Sequence, residues 1–356
     1  MKKRIIPFVA AIIAMIIMLS GCSCTGKALL VFDNGFNGGN NAPTQYKETL
    51  TYKVEYIESY ANNFTKSSDI PDDVLKMDVV DGTYTMTLEI FDSAYAKGVE
   101  ELKDTDIFDK YSDIKEVYKL TTNLSLTSVY TCYTGFDDED SDEHRPEGEK
   151  GLWEPEYITT TTYFLSRDFS FNPIYSRTDG YTSFAAIQPD GIVQIAYSNY
   201  FSETKYNAEN YTTEMKYGDM DKEIKNCDYT FKTLIDNNLL LFALRNISIT
   251  KEQEYGMPTV HPTYGEAQTL AITNVDEREQ KFSVNEHKEE NFKVSEYAVV
   301  RNVQNATGSP QFFIVQKDKT TNFADRALLL KYVAPLSLYG SYLCLGGLSY
   351  TLVSVS

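Results

Sequence analysis

Three histidines, one tryptophan and five cysteines are all that 356 residues hold of these side chains. His144, His261 and His287 stand far apart and in no HExxH-like spacing, so a metal site would require the fold to bring them together. CxxC is absent, which removes zinc-ribbon and thioredoxin-type chemistry. Neither a GxSxG elbow nor a phosphate-binding P-loop occurs. SxxK occurs twice, as Ser112 with Lys115 and Ser202 with Lys205, without the companion motifs of serine acyl-enzymes. No catalytic residue, metal ligand or cofactor is assigned on this basis, and the chain is read as noncatalytic.

Positive charge is also scarce. Lys and Arg number 33 against 51 acidic residues, for a net charge of -18. Setting aside Lys2, Lys3 and Arg4 leaves 30 basic residues against 51 acidic ones, a net of -21. Nucleic acid is excluded as a partner, because phosphate binding needs a basic face that releases counterions. Adhesion to anionic headgroups by charge alone is excluded for the same reason.

Tyrosine is abundant, with 27 residues, and hydrophobic residues make up 42% of the chain. That content supports a real core, and Tyr with many Thr residues favours half-wet, pleated strands. Composition leaves open whether the tyrosines line a ligand surface or a core.

The N-terminus has a basic stretch, Met1 to Arg4, followed by an uncharged apolar run from Ile5 to Leu19. About 15 residues is shorter than the roughly 20 needed to span hydrocarbon, so the run reads as a secretory leader. Its end, Leu19-Ser20-Gly21-Cys22, resembles the lipobox of bacterial prolipoproteins: an aliphatic residue, two small residues and a cysteine. The resemblance implies cleavage between Gly21 and Cys22 and acylation of Cys22. Two or three acyl chains, at about 0.8 kcal/mol per buried methylene, would give stable membrane attachment. The implied location is the cell membrane or the outer membrane, with the domain facing outside the cytoplasm. The likeness covers roughly the first 25 residues and does not extend to the mature domain.

Three segments follow: a signal peptide over 1–21, a lipidated cysteine and tether over 22–45, and one β-rich domain over 46–356. The Gly- and Asn-rich stretch 33–45 lacks periodicity and reads as flexible, with the coil from Ser23 reaching about 25 to 30 Å. Four cysteines remain besides Cys22. Cys24 is read as a free thiol, with a second acylation as the alternative; Cys132, Cys227 and Cys344 are read as buried thiols, with one bridge permitted.

Alternation then dominates. Tyr46, Leu50, Tyr52, Val54 and Tyr56 share one face, and Lys47, Thr49, Thr51, Lys53 and Glu55 the other. Tyr84 to Ile90 repeats the pattern after Asp81-Gly82, and Leu124 to Cys132 is a third, Thr- and Ser-rich strand. Weak helical periodicity runs from Lys97 to Tyr118. A meander follows Pro173, with turns expected at Thr178-Asp179-Gly180 and Pro189-Asp190-Gly191. Tyr211, Thr213, Met215 and Tyr217 alternate again. Apolar spacings of three and four predict a helix from Phe231 to Ile247, packed on the sheet. A polar stretch from Asn274 to Asn291 separates it from strands at Tyr297 to Val303, Phe312 to Gln316 and Ala327 to Val333, and a hairpin turning at Gly346-Gly347 closes the chain. The expected fold is mainly β with minor α: a large curved antiparallel sheet or half-barrel with one or two packed helices. By architecture alone this resembles the half-barrel lipid carriers among bacterial lipoproteins.

The acidic run Asp137 to Glu143 places Asp138, Asp140, Asp142 and Glu149 at positions one, three, five and twelve of a calcium loop, but Glu143 stands where the turn needs Gly, so no metal is assigned. Trp153 and the run Tyr157 to Phe164 read as strand packing, with sugar stacking as the alternative. The functional expectation is a noncatalytic, lipid-anchored envelope domain that binds an unknown ligand or protein partner on a sheet surface. Two alternatives are a carrier or sensor of a hydrophobic molecule in a cavity between sheet and helix, and an envelope hydrolase.

Overall fold

The computed structural model describes residues 28–29, 46–61, 64–65, 75–132, 150–152, 155–167, 170–187, 193–218, 220–228, 234–247, 249–251, 253–260, 267–303, 306–307, 310–317, 327–337 and 344–356. Fourteen long strands dominate them. In chain order these are β1 (Tyr46–Ile57), β2 (Leu75–Asp92), β3 (Glu116–Cys132), β4 (Glu156–Arg167), β5 (Ser170–Ile187), β6 (Val193–Tyr206) and β7 (Asn210–Tyr217). The others are β8 (Met220–Asp228), β9 (Glu254–Val260), β10 (Ala267–Phe282), β11 (Glu290–Val303), β12 (Gln311–Gln316), β13 (Leu329–Ser337) and β14 (Cys344–Val355).

Each strand pairs antiparallel with its chain neighbour, except that β8 and β9 do not pair and β14 returns to β1, Leu50 lying opposite Val355. The spatial order is therefore β9 to β14 followed by β1 to β8, one continuous sheet that is not closed into a barrel. Two short parallel pairings lie on β9: Ile235 opposite Thr259, and Ala28 opposite Tyr255. The second falls within the expected tether.

The mainly-β, curved-sheet expectation holds. Leu50, Tyr52 and Val54 are buried while Lys47, Lys53 and Glu55 are exposed, as the alternation requires. On the inner face, register builds an aromatic row: Phe313 stacks on Tyr332 at 4.8 Å, Tyr332 on Tyr350 at 4.9 Å, and Tyr350 meets Tyr84 edge-on at 5.5 Å. Burial pushes the Tyr84, Tyr332 and Tyr350 phenols well above their ordinary value.

Three local expectations are corrected. Thr178-Asp179-Gly180 is not a turn but lies within β5, and Asp81-Gly82 likewise lies inside β2. A Cβ on Gly180 would sit 2.7 Å from the Tyr157 carbonyl oxygen, so the glycine serves close strand approach and not a bend. Gly346-Gly347 lie inside β14, where Cβ atoms would strike Tyr56 and Phe64. The polar stretch from Asn274 to Asn291 is no separator: most of it is the paired arms of β10 and β11, with Arg278 bridging Asp276 and Glu296. Pro189-Asp190-Gly191 lies outside the described residues.

The expected helix is shorter than its periodicity. Residues 231–233 lie outside the description, and Ile235–Asp236 is a strand. Helical turns follow at Asn237–Leu239, Leu240–Ala243 and Leu244–Asn246. Asp236 sets the start, since its carboxylate caps the Asn238 N–H at 2.8 Å. Leu239, Phe242, Ala243 and Leu244 are fully buried against the inner face, and Phe242 meets both Phe164 and Phe171. Phe242 thus packs these turns directly on β4 and β5. The stretch from Lys97 to Tyr118 holds only short turns, Glu100–Leu102 and Ile107–Lys110, before β3 begins.

Two polar anchors hold the helical segment. Arg245 donates to Glu48 Oε1 and to the Ala327 carbonyl, each at 2.8 Å, and the ion pair is 1% exposed on both sides. Asp236, fully buried, accepts from the Tyr206 hydroxyl at 2.6 Å. Asn238 reaches Ser176 at 2.9 Å.

Removing one member of the ion pair leaves the other charge buried, so Arg245→Leu or Glu48→Leu alone should cost about 3 to 5 kcal/mol. The double variant should cost less than the sum of the two, as read by a double-mutant cycle in urea. Burial raises the Asp236 carboxyl to about 6, against the lowering effect of the Tyr206 and Asn238 hydrogen bonds. The folded state thus keeps this proton up to about pH 6 while an unfolded Asp releases it near pH 4, so stability falls as pH rises through that window. The stability advantage of the native protein over Asp236→Asn should shrink by on the order of 2 to 3 kcal/mol between pH 4 and pH 6.5, measured by denaturation at both values.

Candidate ligand-binding face

β-Branched residues at alternate positions send their hydroxyls to the outer face of β1 to β6, and register aligns them in three rows. The first row is Thr49, Thr87, Thr121, Thr161, Arg177 and Glu203. The second is Thr51, Thr85, Asn123, Thr159, Asp179 and Phe201, and the third is Lys53, Thr83, Ser125, Tyr157, Tyr181 and Asn199. Neighbouring strands lie about 4.8 Å apart and neighbouring rows about 7 Å apart. Hydrogen bonds run across the strands: Thr49 to Thr87 at 3.2 Å, Asn123 Nδ2 to Thr85 at 3.4 Å, and Thr159 to Asn123 Oδ1 at 3.0 Å. These contacts fix the side chains as an ordered polar array.

Charge on this face is compensated locally. Lys53 pairs with Glu55 at 2.5 Å, and Arg177 holds Asp179 through two bonds of 2.6 and 3.0 Å while lying 5.2 Å from the Phe201 ring. Tyr175 donates to Glu203 at 2.8 Å. Within the three rows two basic residues face two acidic ones, so the array is neutral on a chain of charge -18. At its far end Tyr157, 53% exposed, stacks on Tyr181 at 6.3 Å and 26°.

The near end opens into a cleft. The β1–β2 ladder stops at Lys53 opposite Thr83, after which β1 continues on β14 to Ile57 and β2 continues on β3 back to Leu75. Where the strands part lies a cavity of about 410 Å³, lined among others by Thr51, Lys53, Val79, Thr83 and two bulged valines. These are Val80 and Val353, 63% and 39% exposed, set outward by irregularities in the β2–β3 and β1–β14 ladders. Gly82 closes the strands just before the split, since a Cβ there would stand 2.8 Å from both Val54 Cβ and the Val54 carbonyl oxygen. From the cleft to Tyr181 the third row crosses β1 to β5, about 20 Å.

Of the residues singled out in the sequence, Tyr157 lies on this face. Gly21 and Cys22 lie outside the described residues, as do Cys24, His144, Trp153, His261 and the acidic run with Glu149. Cys132, Cys227 and Cys344 fall in β3, β8 and β14, none of which neighbours another. His287 is exposed in the turn between β10 and β11, its N–H donating to the Val284 carbonyl. Ser202 is buried on the inner face while Lys205 points outward to Glu203, so strand geometry separates that pair. Among the described residues no group of three or more His, Cys, Asp or Glu is placed to hold a metal ion, and no helix is long and apolar enough to cross a membrane.

Tyr157 was legible as an aromatic within a strand-like run. The rows were not, because their local signal, Thr83-x-Thr85-x-Thr87 and Thr159-x-Thr161, becomes an array only when register aligns six strands.

No protein-family model matches the chain, and no curated protein matches it. Among solved structures the chain is similar to a β-barrel-like protein of domain of unknown function DUF1849 from Brucella abortus. The identity is 9%, the match covers 87% of this chain and 97% of that one, and the TM-score is 0.36.

Proposed function

We propose that this chain is a noncatalytic binding domain, held at the outer surface of a membrane by lipid on Cys22, whose binding surface is the outer face of β1 to β6. The observation that carries the reading is the neutral array of three rows, hydrogen-bonded across strands in the first two, running from a cleft to exposed Tyr157 and its partner Tyr181. A face whose side chains are already ordered loses little rotamer entropy when a ligand settles on it. The lipobox at Leu19 to Cys22 supports the anchor, and Ala28–Leu29 on β9 places the sheet within a few residues of it along the chain. Hydroxyls in the rows have no histidine or cysteine aligned beside them, which suits binding and not turnover.

The anchor is tested by Cys22→Ser: the native protein should partition into the detergent phase of a cloud-point extraction and the variant into the aqueous phase. Equal partitioning of the two would refute lipidation at Cys22. The surface is tested by hydroxyl-radical footprinting of intact cells against the purified chain. Tyr157 and Tyr181 should be labelled several-fold less on cells, whereas exposed Val275 should not change. Equal labelling of the tyrosines in both samples would dismiss this face as the binding surface.

A further inference from the structure

We infer that the ligand of the outer face is a neutral polysaccharide chain, lying along the third row from the cleft to the Tyr157–Tyr181 stack; this rests on the surface assignment under Proposed function. Shape comes first. The track is about 20 Å long and one side chain wide, which suits an extended polymer and not a compact metabolite. Its two ends differ: a cleft of about 410 Å³ at β1 and β2, and a flat aromatic platform at β4 and β5.

Charge narrows the class. The chain carries a net charge of -18, so a polyanion is repelled as it approaches. A polycation finds the acids of the rows engaged: Asp179 by Arg177, and Glu203 by the Tyr175 hydroxyl and by Lys205 at 3.6 Å. A neutral partner meets neither barrier.

Hydrogen-bonding chemistry narrows it again. Thr83 and Ser125 each offer a hydroxyl that both donates and accepts; Thr85, which accepts from Asn123, keeps its proton to donate, and Thr159, which donates to Asn123, keeps its capacity to accept. Such groups at regular spacing match a ligand that itself presents a hydroxyl at each repeat. A protein partner is disfavoured, since stable protein interfaces have an apolar, aromatic-rich centre. The centre of this face is Thr85, Asn123, Ser125 and Thr159, flanked by Val80 and Val353 on one side and by Tyr157, Tyr181 and Phe201 on the other. The stacked Tyr157–Tyr181 pair offers a broad aromatic face for the C–H side of a pyranose ring.

The test is affinity electrophoresis of the full chain, in a polyoxyethylene detergent that carries no sugar. Native gels contain hydroxyethyl cellulose, glucomannan or dextran, with polygalacturonate as the anionic comparison. At least one neutral polymer should retard the protein, and added salt should not relieve the retardation. Tyr157→Ala combined with Tyr181→Ala should weaken it about tenfold, and Thr159→Lys should weaken it too, while Val275→Ala on β10 should leave it unchanged. Far-UV circular dichroism confirms that each variant is folded. The inference is overturned if no neutral polymer retards the native protein, if salt abolishes the retardation, or if the tyrosine double variant binds as tightly as the native chain. Footprint protection on cells without retardation by any of these glycans, and with crosslinking of the face to a protein, would refute the glycan while leaving the surface assignment standing. Absence of both protection and retardation would refute both.

Discussion

The antiparallel ladder between β1 and β14, from Leu50 opposite Val355 to Ile57 opposite Gly347, is the join on which the architecture depends. It unites the first long strand with the last, and so turns two meanders, β1 to β8 and β9 to β14, into one sheet. Closing a loop of some 300 residues costs only a few times RT more than closing a short one. It does make a large share of the contacts non-local, which favours slow folding. The inner face repays the closure: Tyr350 of β14 packs against Tyr84 of β2 and Tyr332 of β13, and Tyr52 of β1 donates to the Leu329 carbonyl.

A second constraint lies in the segment that joins the two meanders. Between β8 and β9, the described residues 235–247 pack on the inner face. Leu239, Phe242 and Leu244 are buried there. The Arg245–Glu48 pair ties this segment to β1, while Asp236 and Asn238 tie it to β5 and β6. Buried ion pairs contribute little net stability but penalise alternative placements strongly, so the pair is best understood as fixing where the segment docks.

On the outer face the same strands meet solvent along the three rows, while Val117, Tyr163 and Tyr175 of that face are covered by Leu102 and Ile107 from between β2 and β3. Inner and outer rows are two products of one register: Tyr52 opposite Tyr84 on the inside, Thr51 opposite Thr85 and Lys53 opposite Thr83 on the outside. A slip of one residue would exchange them. Irregularities at Val80 and Val353 and the strand parting after Lys53 interrupt the outer face at one place, and the cleft lies there.

Alternation in the sequence determined which residues of each strand face inward, as at Leu50, Tyr52 and Val54 and again at Leu348, Tyr350 and Leu352, because a period of two needs no partner to be read. Composition likewise pointed to the class of fold, since Tyr and Thr favour half-wet, pleated strands. Tertiary structure decided what local rules read wrongly. Thr178-Asp179-Gly180 carries turn chemistry yet lies in a long strand, where the Tyr157 carbonyl approaches too closely for a Cβ on Gly180. Glu48 stands on an otherwise apolar strand face, and its partner Arg245 lies 197 residues away, so only the folded chain could match them. The outer array was undecided in the sequence for the same reason: row membership depends on the register of six strands, and register is set by pairings between distant segments.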